Sequence, residues 1–222
     1  MNYFVTGTDT NVGKTLISCA LLHGFAAQRK RVIGMKPVAA GCNADGQNDD
    51  VLYLRAAGNV AVDYGQINPY SFLPAIAPHI AAQQAGVIID FSVIAKSYQE
   101  LAAQADVVVV EGAGGLLVPL SMQQDSADMV KELGLPVILV VGMRLGCLNH
   151  ALLTVEAITA RGLTLAGWVA NVVVAADMTS VEENISSLQH RITAPLLGVV
   201  PYMTQPDARI AARQLDLDRL ES

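Results

Sequence analysis

The sequence predicts an α/β fold with a mostly parallel sheet of about seven strands and helices on both faces. Two observations predict it. Hydrophobic residues make up 52% of the chain and charged residues only 15%, a composition suited to strands buried on both faces. Short runs that are apolar throughout also alternate with segments of helical period, which demands a parallel sheet covered by helices.

The first run, Tyr3-Phe4-Val5, leads into Thr6-Gly7-Thr8-Asp9-Thr10-Asn11-Val12-Gly13-Lys14-Thr15, and residues 16–22 then read as a buried helix. Strand, glycine-bounded loop and helix in that order make a P-loop NTPase-like phosphate site. Loop N–H groups and the open helix N-terminus point at one spot. Lys14 would reach the outer phosphates, and the Thr15 hydroxyl would help hold Mg2+. Five residues separate Gly7 from Gly13, one more than the usual four, because position 8 is Thr8.

Residues 31–38 read as the second strand, ending in Met35-Lys36-Pro37. A polar loop over 39–50 precedes a short helix over 51–57. Turn signals across 58–86, among them Asn68-Pro69, Pro74 and Pro78, predict mostly irregular structure with one short helix. Phe91, Ile94, Tyr98, Leu101 and Ala105 recur at helical spacing, so 91–105 is a helix. Residues 106–110 form an apolar strand ending in Glu111-Gly112-Ala113-Gly114-Gly115. Then come a helix at 126–133, a strand at 135–141, a helix at 149–160 and a strand at 165–172. Ser180-Val181-Glu182-Glu183 has the form of a capping box opening a helix with Val181, Ile185, Leu188 and Ile192 inward. Residues 196–201 make a last strand before a polar loop and helical tail. No linker or repeat divides residues 1–222, so one domain is expected.

Right-handed crossovers put every strand's C-terminal end on one edge. Residues 8–15, Lys36, 111–115, 142–149, Asn171 and 201–203 are therefore expected to converge there. Glu111, stopping an apolar strand among glycines, offers a second hard oxygen for Mg2+, and Asp50 or its neighbour Asp49 a third. Lys36, at a buried strand end, either pairs with an acid or faces phosphate and substrate. Two lysines, a magnesium ion and a triphosphate imply phosphoryl transfer. His79 and His150 have no partner spacing for a metal site or a triad.

The net charge is −6 and no basic cluster occurs, which argues against nucleic acid and anionic membrane surfaces. No apolar run approaches the roughly 18 residues of a membrane span. The three cysteines, Cys19, Cys42 and Cys147, lie far apart without paired spacing and fit reduced thiols in a cytoplasmic protein. The chain opens directly on a strand, without the basic start of a signal peptide.

Several blocks together resemble the dethiobiotin synthetases of biotin biosynthesis, over nearly the whole chain. They are residues 5–15, Gly34-Met35-Lys36-Pro37-Val38, Asn68-Pro69-Tyr70-Ser71-Phe72, Ala77-Pro78-His79, Val110-Glu111-Gly112-Ala113-Gly114-Gly115, residues 145–150 and Gly167-Trp168-Val169-Ala170-Asn171. The longer phosphate loop is also that family's spacing. The resemblance implies an ATP-dependent ligase that turns 7,8-diaminopelargonic acid and CO2 into dethiobiotin, releasing ADP and phosphate. A carbamate would form first, ATP would phosphorylate it, and the second amine would close the ring.

Carried over by position, Lys14 and Lys36 are the catalytic pair, and Thr15, Asp50 and Glu111 hold magnesium. ATP is expected against Asn11, Val12, Gly13, Lys14, Thr15 and Leu16, and against Gly112, Ala113 and Gly114. Asn171 and Val172 would meet the adenine edge, with Pro201, Tyr202 and Met203 lining the base pocket. Thr10 and Ala40 would face the diamine. Its carboxylate would sit on the helix N-terminus at Cys147, Leu148 and Asn149 of a partner subunit, which implies a homodimer. The family often has Ser where this chain has Ala40, and Glu or Gly where it has Asn11. The alternatives are a paralogue of the fold with a shifted amine or carboxylate substrate, and a nucleotide-dependent switch ATPase. Switch proteins of this type usually have a second Lys where Gly7-Thr8-Asp9 stands.

Overall fold

The structure, a computed structural model, describes residues 1–174 and 180–220. In chain order the elements are β1 (Asn2–Gly7), α1 (Lys14–Ala27), β2 (Val32–Met35), β3 (Val38–Ala40), α2 (Asp49–Ala57), α3 (Tyr64–Ile67), β4 (Tyr70–Phe72), α4 (Pro78–Ala85) and α5 (Phe91–Ala102). They continue with β5 (Val107–Gly115), α6 (Ser126–Leu133), β6 (Val137–Met143), α7 (Cys147–Ala160), β7 (Leu165–Val172), α8 (Val181–Arg191), β8 (Leu196–Val200), α9 (Ala208–Ala212) and a 3-10 turn at Leu217–Leu220.

The expected parallel α/β sheet is present, as six strands in the order β2-β5-β1-β6-β7-β8, all parallel. The count of about seven needs correcting, because β3 and β4 pair separately as a two-stranded parallel sheet. Side chains alternate across the main sheet as pleating requires. Tyr3, Val5, Val107, Val109 and Val140 pack with Ile17 and Leu21 of α1 and Ala211 of α9. Phe4, Val108 and Val110 pack on the other face with Ile94 and Leu101 of α5 and Val130 of α6. Trp168 and Leu139 extend that face toward Ala151 of α7 and Leu188 of α8. Each layer thus buries one face of every central strand.

Five sequence expectations change. The single strand over 31–38 splits at Lys36-Pro37: Pro37 has no N–H for a ladder, and the chain leaves β5 to pair with β4. The stretch 58–86 is more ordered than expected, holding α3, β4 and α4. The helix beginning at Phe91 stops at Ala102 rather than 105, and the one expected from 149 already opens at Cys147. The capping box at Ser180 does not form. Ser180 sits at φ 66 in the left-handed region and makes no side-chain cap bond, whereas capping needs an extended backbone there.

A capping box does form at α6, where Asp125 accepts from the Ala127 and Asp128 N–H groups and Asp128 answers the Asp125 N–H. Arg161, at the end of α7, pairs with both carboxylates. Asp125→Ala should therefore lower unfolding free energy by about 1–2 kcal/mol in urea melts. Ser180→Ala should change it by less than about 0.5 kcal/mol.

Candidate functional site

β1 is flanked by β5 and β6; the chain crosses one way from β1 to β2 and the other way from β5 to β6, so the C-terminal ends of β1 and β5 mark the reversal at which open α/β sheets bind ligands. The loop from Thr8 to Gly13 hangs there on several ties. The Thr8 N–H donates to the Val140 carbonyl at 3.0 Å. Val12 is fully buried, its side chain filling a slot between the backbones of Gly7 and Gly142, where any Cβ would lie within 2.8 Å of it. Asn171 Nδ2 donates to the Val12 carbonyl at 2.8 Å. Gly13, at φ 89, opens α1 with no side-chain cap. A Cβ at Gly13 would come within 2.1 Å of Asn171 Nδ2, so only glycine serves there. The first N–H groups of α1 remain open to an anion.

Beneath the loop stands a cluster of four charges. Glu111, at the end of the apolar part of β5, is completely buried. Its Oε1 accepts from Thr15 Oγ1 at 2.9 Å and from Lys36 Nζ at 2.7 Å. The Lys36 ammonium also donates to Asp50 Oδ2 at 2.7 Å. Asp50 is brought there by the first turn of α2, whose cap Asn48 accepts from the Asp50 N–H. Burial works to lower the Lys36 pKa, but Glu111 and Asp50 outweigh it and hold the ammonium above its ordinary range. Burial likewise pushes Asp50 up, and Lys36 more than reverses it. Lys14 differs: burial, with Glu111 opposing and Lys36 adding, pulls it down to about 8. Its Nζ turns back onto the Asp9 carbonyl at 2.9 Å.

The cluster suits magnesium. Glu111 Oε2 is buried and has no partner among the described residues, an arrangement that a hard cation would relieve. Thr15, Asp50 and Glu111 supply hard oxygens, and magnesium ordinarily takes one or two carboxylates beside substrate phosphates. Among the described residues, no group of three or more His, Cys, Asp and Glu is placed to hold a metal unaided. The donors fit a cation that arrives with phosphate.

A cleft of about 800 Å³ runs from this cluster, lined on one side by Thr10, Asn11, Gly13, Lys14, Thr15 and Lys36. Ala113 and Gly114 join its floor, and Ala40 and Asp50 its side. Its far wall is apolar, built of Ala75, Ile76, Ala77 and Pro78 before α4 and Val118 and Pro119 after β5. Sequence reasoning passed over this wall. The Ala77-Pro78-His79 block and the expected turn near Pro74 were the signals for it. Thr15 and Asp50 also border a second cleft of about 490 Å³, where Leu16 meets Tyr53, Pro206 and Arg209.

Convergence on one crevice holds only in part. Gly112 lies against Phe4, where an added Cβ would come within 2.7 Å of the ring. Val172 packs against the apolar cluster shared by β6, α7 and α8. Asn171 is buried, with its Nδ2 on the Val12 carbonyl. Pro201, Tyr202 and Met203 follow β8 and line neither cleft; Tyr202 is exposed, while Met203 packs beside α1. Cys147 is buried, Leu148 half-buried and Asn149 exposed at the start of α7, and they line neither cleft. That helix also opens on an uncapped left-handed glycine, Gly146 at φ 91. A further tie escaped the sequence: Arg144, after β6, pairs with Asp9 in the loop.

The profile of a family described as an AAA domain matches residues 1–209. The ATP-dependent dethiobiotin synthetase BioD of Nitrosospira multiformis is 55% identical over 218 residues, covering 98% of this chain and 96% of that protein. The protein of the same name from Aromatoleum aromaticum is 53% identical over 214 residues, 95% of each. Among solved structures, the MinD cell division protein of Aquifex aeolicus superposes with TM-score 0.57 at 15% identity, covering 99% of this chain and 95% of that one. The signal recognition particle receptor FtsY of Elizabethkingia anophelis gives 0.54 at 17% identity, covering 100% and 65%. At such identities these two structures speak for the fold alone.

The Lys14 pKa near 8 has a consequence for binding. A bound triphosphate favours the ammonium, so binding at pH 8 and above takes up a proton, and affinity falls as pH rises through that range. Titration calorimetry in buffers of different ionisation enthalpy should show uptake growing from pH 7 to pH 9. Proton release, or uptake that does not change with pH, would contradict it.

Proposed function

The chain belongs to the family of ATP-dependent dethiobiotin synthetases, and on that premise we propose how its own residues carry the reaction. It is an ATP-dependent ligase that forms dethiobiotin. We take residues 1–222 as one catalytic domain and 7,8-diaminopelargonic acid and CO2 as its substrates beside ATP. The observation that carries the residue assignment is the Lys36 ammonium shared between two carboxylates, next to a phosphate loop and facing an apolar wall.

In this reading one substrate amine attacks CO2, forming an N–C bond and losing a proton to give a carbamate. A carbamate oxygen then attacks the γ-phosphorus, the bond to the β-phosphate oxygen breaks, and ADP leaves. The second amine attacks the mixed anhydride carbon and loses a proton as the C–O bond to the phosphate's oxygen breaks, inorganic phosphate departs with that oxygen, and the ring closes. Lys36 and Lys14 hold the carbamate and the transferring phosphoryl group in line and offset their developing charge. Thr15, Asp50 and Glu111 would hold magnesium, which supplies charge neutralisation between the phosphates. The loop N–H groups from Asn11 to Leu16 cradle the phosphates. Val12 contributes through its backbone, since its side chain is buried.

Thr10 and Ala40 border the cleft and face the diamine, whose alkyl chain suits the wall at Ile76 and Val118. Asn171, tied to the loop through its Nδ2, and Val172 meet the adenine edge, with Pro201, Tyr202 and Met203 lining the base pocket. We further propose a homodimer, in which the uncapped start of α7, at Cys147, Leu148 and Asn149, binds the substrate carboxylate in the partner's cleft. Leu145, 97% exposed, and the exposed Leu153 give that end of α7 apolar surface for a second copy. No helix among the described residues is long and apolar enough to cross a membrane, and we place the protein in the cytoplasm without nucleic-acid partners.

ADP release with ATP, magnesium and bicarbonate should depend on the diamine and yield a product of dethiobiotin mass; diamine-independent hydrolysis would overturn the proposal. Lys36→Gln keeps a donor for buried Glu111, so the protein should stay folded while kcat falls by at least about a hundredfold. Ala40→Ser should lower the diamine KM about two- to tenfold, the worth of one neutral hydrogen bond.

A further inference from the structure

Parallel strand pairing gives a residue two bonds: its N–H donates backward to the partner strand, and its carbonyl accepts the N–H two residues further along that strand. Lys36 makes the first, donating to the Ile67 carbonyl at 3.0 Å. The second would come from residue 69, but Pro69 has no N–H. The Asn68 side chain takes its place. Asn68 Nδ2 donates to the Lys36 carbonyl at 2.7 Å and to the Tyr70 carbonyl at 3.0 Å. Backbone pairing then resumes with the Tyr70 N–H on the Pro37 carbonyl.

This tie sits where the chain leaves the main sheet after β2 and enters the small one at β3. The β2–β5 ladder does not extend to the Lys36 backbone, since that pairing ends at Met35 and Val110. Asn68 is 4% exposed, and its Oδ1 has no partner among the described residues. Packing alone would favour an apolar side chain in that place. We infer that Asn68 is a positioning residue: its amide fixes the Lys36 peptide at the break between the sheets and so sets where the ammonium stands in the cleft. The inference rests on the assignment of Lys36 above.

Asn68→Ala, Pro69→Ala and the double variant Asn68→Ala/Pro69→Ala test it, through diamine-dependent ADP release, the ATP KM and the thermal midpoint. Asn68→Ala should lower kcat by about ten- to a hundredfold, the cost of a small misplacement. The ATP KM should stay within about threefold, because the phosphate loop is untouched. Pro69→Ala restores the missing backbone donor, so alone it should behave as wild type. In the double variant it should recover at least about tenfold of a hundredfold loss in kcat, with a thermal midpoint still lowered by the missing side chain.

A wild-type kcat in Asn68→Ala, or a loss that the double variant does not recover, would overturn the inference. If Asn68→Ala does not fold, the double variant decides: folded and active supports the inference, and inactive or unfolded overturns it. Diamine-independent release by the wild-type protein would instead overturn the reading of the cleft, and this inference with it.

Discussion

A carboxylate removed from water must be neutralised or protonated, and at Glu111 that requirement organises everything around it. The side chain ends the apolar stretch of a central strand and is fully buried. One of its oxygens takes both a hydroxyl from α1 and the ammonium of Lys36. To deliver that ammonium the chain must stop pairing with β5 after Met35 and turn aside at Lys36-Pro37. To balance a buried ammonium held by one shared oxygen, α2 must begin where Asp50 reaches it, which Asn48 arranges. The break in β2, the separate small sheet and the start of α2 all serve one pair of opposite charges. Such a pair contributes little net stability beyond its desolvation cost, so its value lies in what it can bind.

The phosphate loop obeys a different constraint, that of steric fit. An additional residue in the loop has to be absorbed without pulling Gly13 from the helix start. Val12 does this by sinking into the slot beside Gly7 and Gly142, while Asn171 reaches from β7 to hold its carbonyl. The loop backbone is thereby fixed from below, leaving its upper surface to ligand. Two helices, α1 and α7, open in the same manner on a left-handed glycine without a side-chain cap. α1 keeps its first N–H groups open within the cleft, whereas at α7 the Cys147 N–H already donates to the Arg144 carbonyl at 3.0 Å.

The layered fold was legible because burial on both faces leaves its mark on strands such as 107–110 and 137–141, where no polar residue interrupts. The placement of Lys14, Thr15, Lys36 and Glu111 beside the cleft was legible as well, since the first two close a glycine-bounded loop at a helix start and the last two end apolar runs. Asp50 was weaker, being one of two adjacent acids in a polar stretch, and only the cap at Asn48 selects it. The small sheet was not legible. Three-residue strands carry too little periodicity, and the pairing of 38–40 with 70–72 depends on where a proline interrupts a ladder. The Ser180 box misled because its sequence pattern takes no account of backbone conformation. The tie from Asn171 to the Val12 carbonyl was hidden for a related reason, as the two residues lie far apart in sequence.

The central claim is that the charge cluster around Lys36 serves transfer of a phosphoryl group to a carbamate oxygen. The most direct measurement follows the oxygen. With 18O-labelled CO2 freshly supplied, the account predicts that each inorganic phosphate released in forming product carries one labelled oxygen, because the carbamate oxygen that takes the phosphoryl group leaves with it. Phosphate without label, formed alongside dethiobiotin under conditions that prevent exchange with water, would contradict the account.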